Sequence, residues 1–504
     1  MRTDLVLIKP SNQKELYGTL SEASLTAIEP PLWACLIAAF IRKIGLTVEI
    51  IDGEAEGLTP AEIAVRIEEL NPLLAAIVTS GTNPSASTMN MCGVRLVLAE
   101  MERRGMTEVK TLVSGLHPSA LPKRTMEEER CDFLSEGEGF HTIAGLLTAL
   151  KKGPKKKEFD IPGLWYRNNG KIIANPRAPL IGSLDKELPH ASWDLLPMDR
   201  YRAHNWHCFG EKGRKRQPYG VIYTSLGCPF RCHFCCVNAL FGTPGIRLRS
   251  PRNVVDEIGM LVRDYGVRNI KVLDEMFVLN HTHVLDICDL IIERGYCLNI
   301  WAYARINTVD EKLLSRLKKA GVNWLAYGIE SGSDRILKSV AKGITVEKTR
   351  DVVRMTKEAG INVMGNYILG LPEDDLESMG ETMELAAELN CEFVNIYCAT
   401  AYPGSPLYEQ ALKEGWKLPE RWADYSPYSY GHLPLPTKYL SAADVLKFRD
   451  ESYTRYSSGE RYQRMIREKF GGEVLDAIKN GLTKKLRRRH LEEITGQARG
   501  HWTG

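Results

Sequence analysis

The sequence predicts an α/β protein: a doubly wound, Rossmann-like parallel sheet, then a partial (β/α)6 barrel, then a mainly helical C-terminal region. Three observations carry this. Five short β-branched runs alternate with helical patterns over the first 150 residues, six more strand-helix units follow from Tyr219, and amphipathic helical patterns take over from Ala442. At 504 residues the chain is too long for one ordinary core. The expected divisions are a first domain over 1–150, a connecting segment over 151–215, a barrel over 216–415 and a helical region over 416–504.

The first five strands are expected at 4–8, 47–51, 74–79, 111–114 and 132–135. In such a sheet the ligand crevice lies beyond the carboxyl ends of the strands. Those ends are small, polar and Gly-rich, as close backbone approach to a ligand requires: Asn12 after the first, Ser80 and Thr82 after the third, Gly115-Leu-His117-Pro118 after the fourth, and Gly137 with Glu138 after the fifth. No Gly-x-Gly-x-x-Gly follows the first strand, which argues against a dinucleotide. The connecting segment is rich in Lys, Pro, Gly and Asn, with a small hairpin expected around Asn168-Asn169-Gly170.

Barrel strands are expected at 220–225, 269–273, 298–303, 324–328, 363–369 and 393–398. The first intervening helix has Ser250 as its cap and Pro251 at the first helical position, with Val254, Val255, Ile258, Leu261 and Val262 on one face. Six units make three quarters of an eight-fold barrel, which stays open at one side. The aromatics of the C-terminal region, Trp416, Trp422, Tyr425, Tyr428 and Tyr430, are expected to pack as core or as a lid over that opening.

Composition narrows the function classes. Sixty-six basic against 63 acidic residues is too balanced for a nucleic-acid partner. The basic runs at 151–157 and 484–489 read as solvated linker and tail faces. The apolar run over 32–40 is less than half of a bilayer span, and no secretory leader pattern is present, so no transmembrane segment is expected and a cytoplasmic location is. Twelve cysteines in such a chain are not a disulfide framework.

Four of those cysteines crowd into residues 228–236. Cys228-Pro-Phe-Arg-Cys232-His-Phe-Cys235 follows the first barrel strand, so three thiols fall in a loop where barrel active sites are built. Three thiolates at this spacing can wrap a cubane iron–sulfur cluster and leave one iron without a protein ligand. A structural zinc with His233 as fourth ligand is the alternative, disfavoured by crowding. Cys236 is a poor fourth ligand because neighbouring side chains in an extended segment diverge.

Here the sequence resembles the radical S-adenosylmethionine (SAM) superfamily, whose signature is Cys-x-x-x-Cys-x-aromatic-Cys, with Phe234 in the aromatic place. The resemblance implies a 4Fe-4S cluster on Cys228, Cys232 and Cys235, SAM bound to its open iron, and reductive cleavage to a 5′-deoxyadenosyl radical. Later strand ends supply groups that suit SAM's carboxylate, ammonium and ribose: Asp274, Glu275, Arg305, Glu330 and Ser331. The string Gly-Ile-Glu330-Ser331-Gly-Ser is itself typical of the family.

The first 150 residues are similar to the cobalamin-binding domain fused ahead of many of these enzymes, through Pro30-Pro-Leu-Trp33, Val48-Glu-Ile-Ile-Asp52, Gly115-Leu-His117-Pro118 and Asp132-Phe-Leu-Ser-Glu136-Gly-Glu138. The Asp-x-His-x-x-Gly that places an imidazole under cobalt is absent, so His117 reads as a pocket wall and not a cobalt ligand. Together the resemblances imply a cobalamin-dependent radical SAM methyltransferase acting on an unactivated carbon, or a phosphorus, centre of a small-molecule, lipid or peptide substrate, with a reductant such as flavodoxin or ferredoxin. Alternatives with the same cofactors are an oxidative cyclase or ring-rearranging enzyme. A methylthiotransferase would use Cys35, Cys92 and Cys131 for a second cluster, and a non-catalytic corrinoid or cluster sensor would lack the SAM-binding set.

Overall fold

The computed structural model describes residues 2–17, 26–79, 86–153, 159–210, 215–484 and 486–495. Its first sheet contains β1 (Leu5–Lys9), β2 (Val48–Asp52), β3 (Leu74–Val78), β4 (Lys110–Ser114) and β5 (Phe133–Ser135), all parallel, in the order β2-β1-β3-β4-β5. Period-two alternation splits each strand between two cores. Leu5 and Leu7 face one layer with the helix Leu32–Lys43, whereas Val6 and Ile8 face the other with residues of Pro60–Leu70 and Met91–Arg103. Being covered on both sides explains why β3 reads as the continuous apolar run Leu-Ala-Ala-Ile-Val.

The hairpin expected near Asn169 is present as β6 (Leu164–Asn168) and β7 (Lys171–Ala174), and it extends the first sheet antiparallel to β5. Asn169 and Gly170 both take positive φ, 50° and 77°, the geometry of an Asn-Gly turn. Further along the connecting segment Trp193 and Tyr201 are buried, with the Tyr201 hydroxyl donating to Asp52 at 2.9 Å and the Trp193 indole to Glu257 at 3.0 Å.

The second sheet holds β8 (Tyr219–Ile222), β11 (Asn269–Val272), β12 (Asn299–Ala304), β13 (Val322–Glu330), β14 (Asn362–Leu369) and β15 (Phe393–Cys398), parallel and in chain order. β9 (Ser225–Leu226) and β10 (Arg247–Leu248) form a small antiparallel pair beside the first of them. β8 and β15 are edges of the sheet and do not pair, so the barrel is open along one side. Ser250 caps the helix Pro251–Tyr265 as expected, accepting from Asn253 N, with Pro251 at the first helical position.

An aromatic plug closes the floor at the amino ends of the strands. Trp206 lies 5.1 Å from Trp301, 5.2 Å from Trp324 and 5.4 Å from Phe393 between ring centroids. After β15 the chain runs through the helices Ala442–Ser458, Glu460–Phe470, Gly472–Leu482 and Arg489–Thr495. The first of these lies on β15, where Arg449 donates to the Ile396 carbonyl at 2.7 Å. Among the described residues no helix is long and apolar enough to cross a membrane.

Burial in this fold creates an acid sensitivity. Burial holds the imidazoles of His117, His204 and His432 down to about 3, assisted by Arg124, Lys271 and Arg488 respectively. In the unfolded chain each titrates near 6.5. Between those values the unfolded state therefore binds more protons than the native one, and stability falls as pH drops below 6.5. Each histidine contributes a slope of about 1.4 kcal/mol per pH unit. The urea midpoint is expected to fall from pH 7 to pH 5.5, and His117→Gln to remove about one histidine's share of that fall.

Candidate active site

The thiol loop begins where β8 and β9 end. Gly227, at φ 95°, turns the chain against Gly245, whose N–H donates to the Cys228 carbonyl at 3.2 Å. A second turn closes Cys232 to Cys235, from Cys235 N to Cys232 O at 3.1 Å. Cys228 and Cys232 are buried and Cys235 half-buried. Burial pushes the Cys235 thiol up to about 12 and raises Cys228, an effect that metal bonding to the thiolate would offset. His233 is exposed, whereas Cys236 is buried as Cys228 and Cys232 are. Among the described residues no group of three His, Cys, Asp or Glu is arranged around a single ion, and in a cubane each thiolate meets a different iron. The donor set fits a 4Fe-4S cluster.

Two cations flank the loop. Arg305, following β12, places Nη1 3.5 Å from Cys232 Sγ, stacks its guanidinium 4.0 Å from the Phe230 ring centroid, and is fixed by Asn307 Oδ1 at 3.0 Å. Lys342 lies 5.7 Å from the Phe234 ring and pairs with Glu330 at 2.6 Å, both side chains being 8% exposed. Glu330 holds φ 67° at a bulge closing β13. A non-glycine residue held there stores strain that the surroundings must impose. A Cβ on Gly328 would collide with the Glu330 carboxylate, so glycine at 328 lets that carboxylate lie across the barrel mouth. Lys342 escaped the sequence reading because it sits in a loop 12 residues beyond Glu330, with no strand-end signal.

The remaining candidates divide. Glu275 accepts from Gly227 N at 3.3 Å and is pushed up to about 7 by burial. Asp274 is fully buried and accepts from Thr224 N at 2.6 Å, Thr224 Oγ1 at 2.5 Å and Ser225 Oγ at 2.5 Å, so it shapes the loop from behind. Ser331 turns toward Thr382, at 3.1 Å, and accepts from Ser333 N.

In the first domain, Ser80 and Thr82 lie outside the described residues. Asn12 donates to Asn90 at 3.2 Å and to Cys92 at 3.4 Å, and so fixes the helix Met91–Arg103. Glu138 forms a two-point ion pair with Arg247, at 2.6 and 3.2 Å, tying this domain to the barrel, while Gly137 N donates to Ser119. Gly115 takes φ 136°, and a Cβ there would collide with the Thr79 hydroxyl. At the adjoining strand ends, Ser114 Oγ and Ser135 Oγ are buried without a hydrogen-bond partner, and a Cβ on Gly139 would stand 3.1 Å from the first and 3.5 Å from the second. Orphaned hydroxyls beneath glycines are what a polar cofactor seated on these strand ends would satisfy, so the residues fit cobalamin.

His117 and Pro118 begin a short helix, Leu116–Ala120, and both are buried. His117 Nδ1 meets Thr88 Oγ1 at 3.2 Å, and the ring packs edge-on against Trp422 at 4.5 Å. Arg124 covers the same indole at 4.4 Å. The C-terminal region thus reaches back over the first domain. Trp422→Ala is expected to cost about 3–5 kcal/mol and to loosen the His117 loop, read as a lower unfolding midpoint and less corrin absorbance co-eluting with the protein.

The comparisons with known proteins follow this architecture. The model of the Radical SAM superfamily matches residues 222–386, and that of the B12 binding domain matches residues 21–147. An uncharacterized methyltransferase of Pyrococcus horikoshii is 35% identical over 398 residues, 79% of this chain and 82% of that protein. Cytidylyl-2-hydroxyethylphosphonate methyltransferase of Streptomyces wedmorensis is 25% identical, with 86% of each chain covered. The radical SAM methyltransferase TsrM of Kitasatospora setae, solved with cobalamin and a 4Fe-4S cluster, superposes at a TM-score of 0.67 with 17% identity, covering 95% of this chain and all of that one. The chain belongs to the radical SAM superfamily, in the cobalamin-dependent branch that carries a B12-binding domain ahead of the barrel and includes methyltransferases. Its cofactors are a 4Fe-4S cluster, SAM and cobalamin.

Proposed function

We propose that this enzyme transfers a methyl group to an unactivated carbon of its substrate. One observation carries the reading: the three-thiol loop, flanked by Arg305 and the Glu330–Lys342 pair, opens at the carboxyl ends of an incomplete barrel, and the domain ahead of it presents a polar cradle of buried hydroxyls. When bound, the cofactors supply one-electron cleavage of a sulfonium and a transferable methyl group.

The protein's own residues hold and orient. Cys228, Cys232 and Cys235 are the cluster ligands in this reading, and Arg305 offsets their charge at Cys232. Phe234, Glu275, Glu330 and Lys342 line the SAM side, with Asp274 and Ser331 shaping the loops that carry them. Gly115, Gly137 and the Ser114 and Ser135 hydroxyls form the corrin side, with His117 as wall. The cluster these thiolates would hold needs a one-electron reductant, in this reading a flavodoxin or ferredoxin of the cytoplasm, a compartment in which the twelve cysteines, all free thiols, would stay reduced.

The methylthiotransferase reading needs Cys35, Cys92 and Cys131 together. Cys35 lies in the core on one face of the first sheet and Cys131 in the core on the other, which speaks against a shared cluster. Incubating the reconstituted enzyme with methylcobalamin, SAM, reductant and a candidate substrate is expected to yield both 5′-deoxyadenosine and S-adenosylhomocysteine. Deoxyadenosine without labelled-methyl transfer would instead assign cyclisation or oxidation.

A further inference from the structure

Above the aromatic floor the inward side chains of the barrel turn polar and partly exposed. On the same inward face as Trp301, Trp324 and Phe393, every second residue continues toward the mouth as Tyr303 on β12, Ala326 and Gly328 on β13, Asn366 on β14, and Asn395 and Tyr397 on β15. The register sets Gly328 beside Asn366 and Asn366 beside Asn395, in the layer directly under the Glu330 carboxylate. Ala326 packs in the aromatic floor, and the small Gly328 gives its place to the Glu330 carboxylate and Lys342, so the polar residues beside them on β14 and β15 take the position that branched side chains otherwise fill. Tyr303, Asn366, Asn395 and Tyr397 accordingly keep partial solvent access although they lie inside the sheet. Tyr17 from the first domain and Tyr428 from the C-terminal region have their rings 5.5 Å apart, and both neighbour Tyr397.

The polar atoms of this wall are unspent. Asn395 Nδ2 donates to Asn366 Oδ1 at 2.9 Å, yet Asn395 Oδ1 has no partner among the described residues. The hydroxyls of Tyr17, Tyr303, Tyr397 and Tyr428 likewise make no hydrogen bond among them. The lysine charges are spent. Lys271 on β11 meets both oxygens of Glu29, at 3.0 and 3.1 Å, and Lys342 meets Glu330.

We propose that this chamber is the substrate site, and that it takes an uncharged ring molecule bearing hydroxyl or amide groups. The claim rests on the methyltransferase reading and adds the substrate's chemistry to it. Phenol rings offer flat apolar faces, and phenol and carboxamide tips both give and accept hydrogen bonds. A phosphate or carboxylate entering the chamber would find Lys271 and Lys342 already paired with carboxylates and Arg305 turned to Cys232 and Asn307, and would lose its hydration uncompensated. A fatty chain would leave the phenol and amide tips unsatisfied.

The test uses the full chain loaded with cluster and cobalamin, and reads binding by calorimetry, so it does not depend on turnover. Uridine, N-acetyltryptophanamide and methyl glucoside are each compared with a charged counterpart: uridine 5′-monophosphate, N-acetyltryptophan and glucose 6-phosphate. Lauric acid represents an acyl substrate. The expected result is that at least one neutral probe binds about tenfold or more tighter than its counterpart and than lauric acid. Tyr397→Phe and Asn395→Ala should each weaken it about tenfold, with iron content and corrin absorbance unchanged. Equal or tighter binding of the charged members, tighter binding of lauric acid, no binding of any neutral probe, or neutral binding untouched by both variants would overturn the proposal. Failure of the methyltransferase reading looks different: binding persists while no S-adenosylhomocysteine forms.

Discussion

Cys232→Ser is expected to abolish SAM cleavage and to drop iron from about four per chain to a residual fraction. Cys232 is the thiol that Arg305 approaches, so the pair separates ligation from tuning. A ligand lost from a three-thiol set leaves two thiolates, and the cubane then has two uncovered irons. Arg305→Ala keeps all three ligands. Its loss removes a hydrogen bond to the sulfur and a stacked cation over Phe230, with an expected decline of roughly 10- to 100-fold in activity, as for other groups that support a metal ligand. Iron content by colorimetry, the cluster's absorbance near 400 nm and deoxyadenosine by mass spectrometry read the two variants apart. If Arg305→Ala loses iron as fully as Cys232→Ser, the guanidinium is required for assembly and not for tuning.

Much of this was legible in the sequence because the determinants were local. Strand runs with period two or full burial, the Ser250-Pro251 cap and the Asn169-Gly170 turn each specify their own geometry within a few residues. The thiol loop was legible for the same reason, since its three cysteines lie within eight residues. What the sequence concealed depends on side chains brought together from distant segments. Lys342 has no motif of its own and gains its place only by pairing with Glu330. Asp274 and Ser331 stand at strand ends like their neighbours, but their hydrogen bonds turn them toward Thr224 and Thr382. Glu138 looked like crevice polarity and is an ion-pair partner of Arg247 more than 100 residues away. The aromatics after residue 415 carried no periodicity that would send Trp422 to His117.

A stability effect as large as that of Trp422→Ala is expected at the junction of the two sheets. Lys271, 1% exposed, pairs with Glu29, 5% exposed, and Glu29 also accepts from the Tyr219 hydroxyl at 3.3 Å. Desolvation at these burials is severe, and only the partner's charge and added hydrogen bonds offset it. Lys271→Ala would strand the Glu29 carboxylate in the interior, costing about 3–5 kcal/mol. It would also remove the ammonium that lies 4.7 Å from the Trp301 ring and 5.8 Å from that of Tyr303. Replacing both charges, as Lys271→Met with Glu29→Leu, removes the uncompensated ion and should recover most of that loss, because matched apolar groups cost little where a lone charge costs much. Urea unfolding of the single and double variants decides it. A double variant as unstable as Lys271→Ala would show that the cavity and the ring contacts, and not the stranded charge, set the cost. A recovered double variant that binds the neutral ring probes as the parent does would place the ion pair's role in joining the domains, leaving recognition to the phenol and carboxamide tips above it.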